Sequence, residues 1–212
     1  MDNYTIIIPH YNGQEILSRC LTSIKQSAPK KPEIIIVDNA STDNSISHIK
    51  ENFPDVTIIK SNQNLGYAGG CNLGAEKAKN NYIVFLNNDT IVKQGWDEIL
   101  ISDLQDETIS SAQPKIKNLS NKDHFDYAGA SGGFLDIFCY PFCRGRIFNT
   151  TEEDSGQYNS KENTFWASGA AFATKRDIFI KSGMFDTKLF AHMEEIDYHW
   201  RCQMMGYKIT VC

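Results

Sequence analysis

The stretch Ile83-Val84-Phe85-Leu86-Asn87-Asn88-Asp89-Thr90 decides how this chain is to be read. Four apolar, strand-forming residues stop abruptly at two amides and a carboxylate. A buried strand with Asn-Asn-Asp at its C-terminal tip is suited to a hard cation, because Mg²⁺ or Mn²⁺ takes oxygen ligands and fills its shell with substrate phosphates. A plain strand-to-loop turn uses the same residue types. What weighs against a mere turn is that the other strand ends in the first half of the chain look alike.

Working outward, short apolar runs alternate with segments of helical period. Tyr4 to Ile8 is a strand-like run ended by Pro9, and Gln14 to Gln26 puts Ile16, Leu17, Leu21 and Ile24 on one side of a helix. Pro29 and Pro32 bracket a turn before a strand at Glu33 to Val37. Ser41 or Thr42 offers the N-cap of a helix carrying Ile46 and Ile49. Val56 to Ile59, Ala68 to Ala78 and Tyr82 to Leu86 read as strand, helix and strand. Helical spacing resumes through Trp96, Ile99, Leu100 and Leu104. This alternation predicts an α/β sandwich around a largely parallel sheet.

Ligands of such sheets bind beyond the carboxyl ends of the strands, where strand order reverses. The expected ends carry Pro9-His10-Tyr11-Asn12, Asp38-Asn39-Ala40-Ser41, Ser61-Asn62-Gln63-Asn64-Leu65-Gly66 and Asn87-Asn88-Asp89. All are dense in hydrogen-bonding groups, as the floor of a nucleotide site would be.

From Ile109 to Asn163 the pattern weakens, and the segment reads as an irregular, mobile insertion. Glycines punctuate it, aromatics gather at Phe134, Phe138, Tyr140 and Phe142, and Arg144 and Arg146 lie close together. Order returns in the apolar run Phe165 to Ala173, then in helices at Arg176 to Lys181 and Glu194 to Met205. Tyr207 to Cys212 reads as a strand ending without a polar tail, so a truncated chain is expected.

With 212 residues, 41% hydrophobic and 22% charged, the chain has the composition of a soluble globular protein. A net charge of -5 argues against a general nucleic-acid binder. No run is long enough for a membrane span and no signal sequence is evident, so a cytoplasmic protein is expected, with peripheral association at the inner membrane face compatible. The six cysteines lack metal-site spacing and read as free thiols in a reducing compartment.

Three groups of residues are suited to chemistry. Asp38 at a strand end accepts from a base edge or a ribose hydroxyl, although it or Ser41 equally caps a helix. Gly66, Gly69 and Gly70 at a helix start let backbone approach an anion, or let the helix approach a strand. Glu194, Glu195 and Asp197 concentrate carboxylates, with Asp197 placed four residues before Arg201 for an ion pair. Phe185, Phe190, Met193 and Trp200 lie nearby in sequence; an aromatic-lined acidic site suits sugar, and partial burial raises a carboxylate towards useful base strength.

Taken in order, Pro9-His10-Tyr11-Asn12, Val37 to Asp43, Asn64 to Asn72, Leu86 to Thr90, Ser168-Gly169-Ala170-Ala171 and Met193 to Asp197 resemble the family 2 inverting glycosyltransferases of the GT-A fold, in particular the rhamnosyltransferase-like branch. The resemblance covers essentially the whole chain. It implies one GT-A type, Rossmann-like α/β/α sandwich over 1–212, with a nucleotide-binding half at 1–105. An acceptor and catalytic half follows at 106–212, with an irregular insertion at about 115–163. It also implies a nucleotide-sugar donor (dTDP-rhamnose or a UDP-sugar), a glycan or lipid-linked glycan acceptor and a divalent cation, Mg²⁺ or Mn²⁺.

By position in that pattern, Pro9, Tyr11, Asn12 and Asp38 belong to the donor pocket, with Asn64, Gly66 and Asn72 near base, ribose or diphosphate. Asn87, Asn88 and Asp89 stand where the family carries its DxD-type motif; with Asn at the first acidic position, Asp89 is the metal ligand. Glu195 falls at the catalytic base, which is usually Asp, and Glu194 and Asp197 are its substitutes. Arg144 and Arg146 are candidates for phosphate of donor or acceptor, and Trp166 and Gly169 for the acceptor side. The implied reaction is a single in-line displacement in which the base deprotonates the acceptor hydroxyl. Two rivals stand beside it. A sugar nucleotidyltransferase would need a Gly-rich, basic loop after the first strand, which is missing here. A noncatalytic nucleotide-sugar-binding protein would accommodate Asn87.

Overall fold

The computed structural model describes residues 3–27 and 31–212, so Pro29 of the expected turn lies outside the described residues. In chain order the strands are β1 (Tyr4–His10), β2 (Glu33–Asp38), β3 (Thr57–Lys60), β4 (Tyr82–Leu86), β5 (Ile109–Gln113), β6 (Gly133–Leu135), β7 (Pro141–Cys143), β8 (Arg146–Ile147), β9 (Thr150–Thr151), β10 (Glu162–Thr164), β11 (Ala171–Lys175) and β12 (Lys208–Val211). The helices are α1 (Gln14–Ser27), α2 (Ser45–Asn52), α3 (Gly66–Lys77), α4 (Trp96–Asp103), α5 (Arg176–Lys181) and α6 (Glu194–Met204).

Eight strands form one sheet in the order β10-β12-β5-β11-β4-β1-β2-β3. The run β4-β1-β2-β3 is parallel, as is β12 with β5; β11 lies antiparallel between β4 and β5, and β10 is antiparallel at the edge. Strand alternation explains the two layers of helices. Ile6 and Ile8 face a cluster with Leu17 and Leu21 of α1, Ile49 of α2 and Leu100 of α4. Ile7 points the other way, onto Ala75 of α3, Phe179 of α5 and Tyr198 of α6. Both faces being covered, β1 reads as a continuous apolar run. The result is the expected α/β/α sandwich with a mostly parallel sheet, and strand order reverses between β1 and β4.

Four local expectations need correction. Pro9 does not end β1; the strand runs on to His10, paired with Asp38. Asn39 N–H donates to His10 O, so His10 faces β2 and Pro9 faces the β4 side, where pairing stops at Ile7 and no partner needs its missing N–H. Neither Ser41 nor Thr42 caps α2, which starts at Ser45; Asp43 Oδ1 instead accepts the Ser45 N–H at 3.1 Å. The apolar run at 165–173 becomes strand only from Ala171, as part of β11. Strand β5 is hidden in the sequence because it buries Ser110, Ser111 and Gln113 completely. Ser111 Oγ donates to Thr174 Oγ1 at 3.1 Å, and Thr174 Oγ1 lies 2.6 Å from Tyr198 Oη. A polar core strand of this kind carries no hydrophobic period.

Candidate active site

The ends of β1 and β4 meet across the reversal point. His10 is buried, with Nε2 3.0 Å from Ser45 Oγ and Nδ1 2.9 Å from Asn88 Nδ2. Ser45 Oγ spends its proton on Asp43 Oδ1, 2.5 Å away, so it accepts from His10 and the imidazole proton resides on Nε2. The Nδ1 lone pair then receives the Asn88 N–H, which turns the Asn88 amide oxygen away from the ring. Among the described residues that oxygen has no partner, and it is not sealed from solvent. Burial lowers the His10 pKa, holding the ring neutral in this arrangement.

At the end of β2, Asp38 is buried, and its Oδ1 accepts the Ser41 N–H at 2.8 Å. Among the described residues its Oδ2 takes no hydrogen bond and remains open. Asn12, at φ 55°, binds the neighbouring loop: its N–H donates to Ser41 Oγ at 3.1 Å and its Oδ1 accepts the Thr42 N–H at 2.8 Å. Tyr11 stands half-exposed beside them. Asn12, Tyr11 and Asp38 thus share one polar rim.

The glycines of α3 serve close packing. A Cβ on Gly74 would lie 2.3 Å from Ile7 Cγ2, and one on Gly70 would lie 3.0 Å from Pro9 Cβ. Gly66, at φ 69°, would bring a Cβ to 2.4 Å from the carbonyl of Phe190. The helix start is already capped, since Gly66 N–H donates to Asn64 Oδ1 at 2.9 Å and Ala68 N–H to Phe190 O at 3.1 Å. Asn72 is committed at both amide atoms to the Phe185 backbone, at 2.8 and 3.0 Å. Gly66 and Asn72 therefore fasten the 185–190 segment to α3, while Asn64 is exposed on the rim.

The β4 tip is joined to the carboxylates by the Ser168–Ala170 turn. Asn87 N–H donates to Ala170 O at 2.9 Å, and Tyr67 Oη donates to Gly169 O at 2.5 Å. Burial and then the charge of Glu194 push Glu195 up to about 7, opposed by backbone hydrogen bonds that include one from Gly169. Burial raises Glu194 as well. Oε2 of each glutamate is buried without a partner. Burial lowers His199 to about 3, so a neutral imidazole lies alongside in α6. Asp197 stays apart, ion-paired to Arg201 Nη2 at 2.7 Å.

The other expected contacts are arranged differently. Phe185 is buried against Phe85, Phe179 and Tyr198, whereas Phe190, Met193 and Trp200 are half-exposed. Trp166 is buried and its Nε1 donates to Phe134 O at 3.0 Å. Arg144 Nε donates to Ser131 O and Arg146 Nη1 to Tyr127 O, so both guanidiniums brace the insertion. The sequence pattern assigns no role to His10, Tyr67 or His199. His10 lies in a polar strand end, but nothing in the sequence marks Asn88 as its neighbour.

Asp89 is exposed, and with the outward Asn88 oxygen it offers hard donors on one loop. Among the described residues no three His, Cys, Asp or Glu converge on a metal position. The donor set fits Mg²⁺ or Mn²⁺ where a diphosphate supplies the remaining oxygens. All six cysteines are free. No helix among the described residues is long and apolar enough to cross a membrane.

Comparison with known proteins agrees with this architecture. The family model described as Glycosyl transferase family 2 matches residues 5–183. Poly-beta-1,6-N-acetyl-D-glucosamine synthase of Staphylococcus aureus is 26% identical over 99% of the chain, which spans 48% of that protein. Teichoic acid poly(glycerol phosphate) polymerase of Staphylococcus epidermidis is 34% identical over 42% of the chain and 13% of its own length. Among solved structures, GalNAc-T7 with UDP, GalNAc and Mn²⁺ superposes on the whole chain with TM-score 0.78 at 18% identity, over 42% of its own length. Mannosyltransferase PcManGT of Pyrobaculum calidifontis with GDP-Man and Mn²⁺ gives 0.70 at 18% identity, covering 100% of this chain and 56% of its own. These neighbours are GT-A glycosyltransferases, and the sandwich described above is that fold.

Proposed function

The chain belongs to glycosyl transferase family 2, and from that premise we propose that it moves a sugar from a nucleotide-sugar donor to a hydroxyl of a glycan or lipid-linked glycan, with inversion at the anomeric carbon. The observation that carries the reading is Glu195, a carboxylate brought to about 7 by burial and by Glu194, beside the turn that touches the β4 tip. A base with that pKa is half ionised near neutral pH and strong enough to take a hydroxyl proton.

The division of labour follows the sheet. Residues 1–105 bind the nucleotide: the open Asp38 oxygen accepts from a base N–H or ribose hydroxyl, and the rim of Tyr11, Asn12 and Asn64 borders it. Residues 106–212 bind the acceptor, with Glu195 as base and Gly169 holding its carboxylate. Asp89, with Asn88 and Asn87 beside it, would hold a divalent cation, which when bound would supply Lewis-acid stabilisation of the departing diphosphate. The Mn²⁺ in the GalNAc-T7 and PcManGT structures supports that cation. UDP in the GalNAc-T7 structure gives reason to test UDP-sugars first, with dTDP-rhamnose as the donor of the rhamnosyltransferase-like branch. The site works at the cytoplasmic side of a membrane. One observation favours a second reading, a noncatalytic donor binder: the β4 tip carries a single carboxylate.

Glu195→Gln separates the two. Transfer should fall about 10²–10⁴-fold, the scale of a lost general base, while calorimetric affinity for the nucleoside diphosphate with Mn²⁺ stays the same. Equal transfer by the variant removes Glu195 as base. No transfer by the wild type from UDP-, GDP- or dTDP-sugars favours the binder.

A further inference from the structure

We propose, on the transferase reading, that Tyr67 of α3 is a positioning residue for the base Glu195, which it holds through the backbone of Gly169. Tyr67 Oη donates to Gly169 O at 2.5 Å, across 102 residues of chain. A carbonyl only accepts, so the hydroxyl hydrogen is committed to it. The other edge of the same residue, the Gly169 N–H, supports the Glu195 carboxylate. Glycine has no side chain by which packing could hold it, so backbone bonds decide where its N–H points. A Cβ on Gly169 would lie 3.6 Å from Tyr67 Oη and 3.7 Å from Glu194 Oε1, which puts tyrosine, turn and carboxylates in one cluster.

Both supports of this link are stiff. The Tyr67 ring packs on Phe185 with centroids 6.1 Å apart, and Asn72 of the same helix grips the Phe185 backbone at 2.8 and 3.0 Å. On the turn, Ser168 N–H donates to the buried Gln113 Oε1 at 2.7 Å, and Ser168 O accepts the Ala171 N–H at 3.2 Å. Between these anchors, Tyr67 is the partner of Gly169 O among the described residues. A short bond between two fixed supports carries the position of α3 to the base.

The surroundings keep the hydroxyl a donor. Burial, then Cys71 and the charges of Glu194 and Glu195, raise Tyr67 well above the ordinary tyrosine range. Around Glu195 the other titratable groups are Glu194 and His199 of α6 and Cys143 of β7. Burial keeps the Cys143 thiol protonated and the His199 ring neutral, and His192 acts on Glu194 from the preceding loop.

Tyr67→Phe removes this one hydrogen bond and keeps the ring. In the full chain kcat should fall about ten- to a hundredfold, while the donor KM and the calorimetric affinity for UDP with Mn²⁺ hold. The limb of the pH profile near 7 should move to higher pH by roughly half a unit, because a weakened N–H donor favours the protonated carboxylate. Gly74→Ala disturbs α3 by packing alone, and should lower the melting temperature without moving that limb. Carbon-13 NMR of labelled glutamate, with Glu195→Gln to assign the signal, reads the same upward movement without turnover. A wild type that transfers no sugar would therefore sink the transferase reading, while the NMR titration still decides whether Tyr67 governs Glu195. An unmoved Glu195 titration in Tyr67→Phe overturns the proposal. So does a loss of kcat matched by an equal loss of donor affinity, or an equal movement of the limb in Gly74→Ala.

Discussion

His10 shows how one ring sets the chemistry of its neighbours. Because Ser45 Oγ donates to Asp43, the ring must donate from Nε2 and accept at Nδ1, and Asn88 is left with its oxygen outward. Replacing His10 by Leu frees the amide to rotate and leaves Ser45 without its donor. Mn²⁺ affinity in the presence of UDP, read from free Mn²⁺ by electron paramagnetic resonance, should fall about tenfold or more, the usual cost of losing a residue that orients a ligand. Unchanged affinity would show that Asn88 is not a cation ligand.

Glu195 makes a pH prediction at the same scale. Its folded pKa, about 7, lies above the ordinary 4.5, so the folded state binds more protons than the unfolded state between those values. Stability is therefore lost as pH rises through that window. Glu195→Gln should be more stable than wild type at pH 8, by on the order of 2 kcal/mol, and the advantage should shrink towards pH 5 in urea titrations. Transfer should rise with pH along a limb near 7 that belongs to the Glu194–Glu195 pair rather than to one residue.

Among the elements, α3 is governed by contact. Its glycines had two explanations from sequence, anion approach and close helix–strand packing, and the geometry of Gly70 and Gly74 favours packing. Gly74→Ala should overpack Ile7 and lower stability by about 1–3 kcal/mol, read as a drop in melting temperature. An unchanged midpoint would mean that the helix shifts freely on the sheet. Strands β1, β2 and β4 are legible as short continuous apolar runs, and helices α1 and α5 from helical spacing and flanking signals. Strand β5 is not, because its partners Thr174 and Tyr198 come from distant segments and satisfy its serines only after folding.

Across the whole molecule, the proposed donor, cation and base sites are joined through hydrogen bonds and short runs of backbone. The chain of contacts runs from Asp38 through Ser41, Asn12 and the β1 end to Asn88, then through Asn87 and Ala170 to the turn that holds Glu195. Ligand binding should therefore stabilise the fold as a unit. UDP with Mn²⁺ at about 100 times its dissociation constant should add about 2.7 kcal/mol, and a chelator or Asp89→Ala should remove most of the thermal shift. A shift indifferent to both would exclude Asp89 from the cation site.

What the sequence determined by itself was the alternation of strand and helix, the polar strand ends and the acidic start of α6, because periodicity and turn chemistry are local. Whereas the Asp197–Arg201 pair was already written in the helical spacing, tertiary structure alone decided that His10 orients Asn88, that Glu194 and Glu195 are desolvated together beside the Gly169 turn, and that Arg144 and Arg146 brace the insertion. Those outcomes depend on which distant groups become neighbours and on how much water is excluded between them, and neither quantity is encoded in the spacing of residues along a chain.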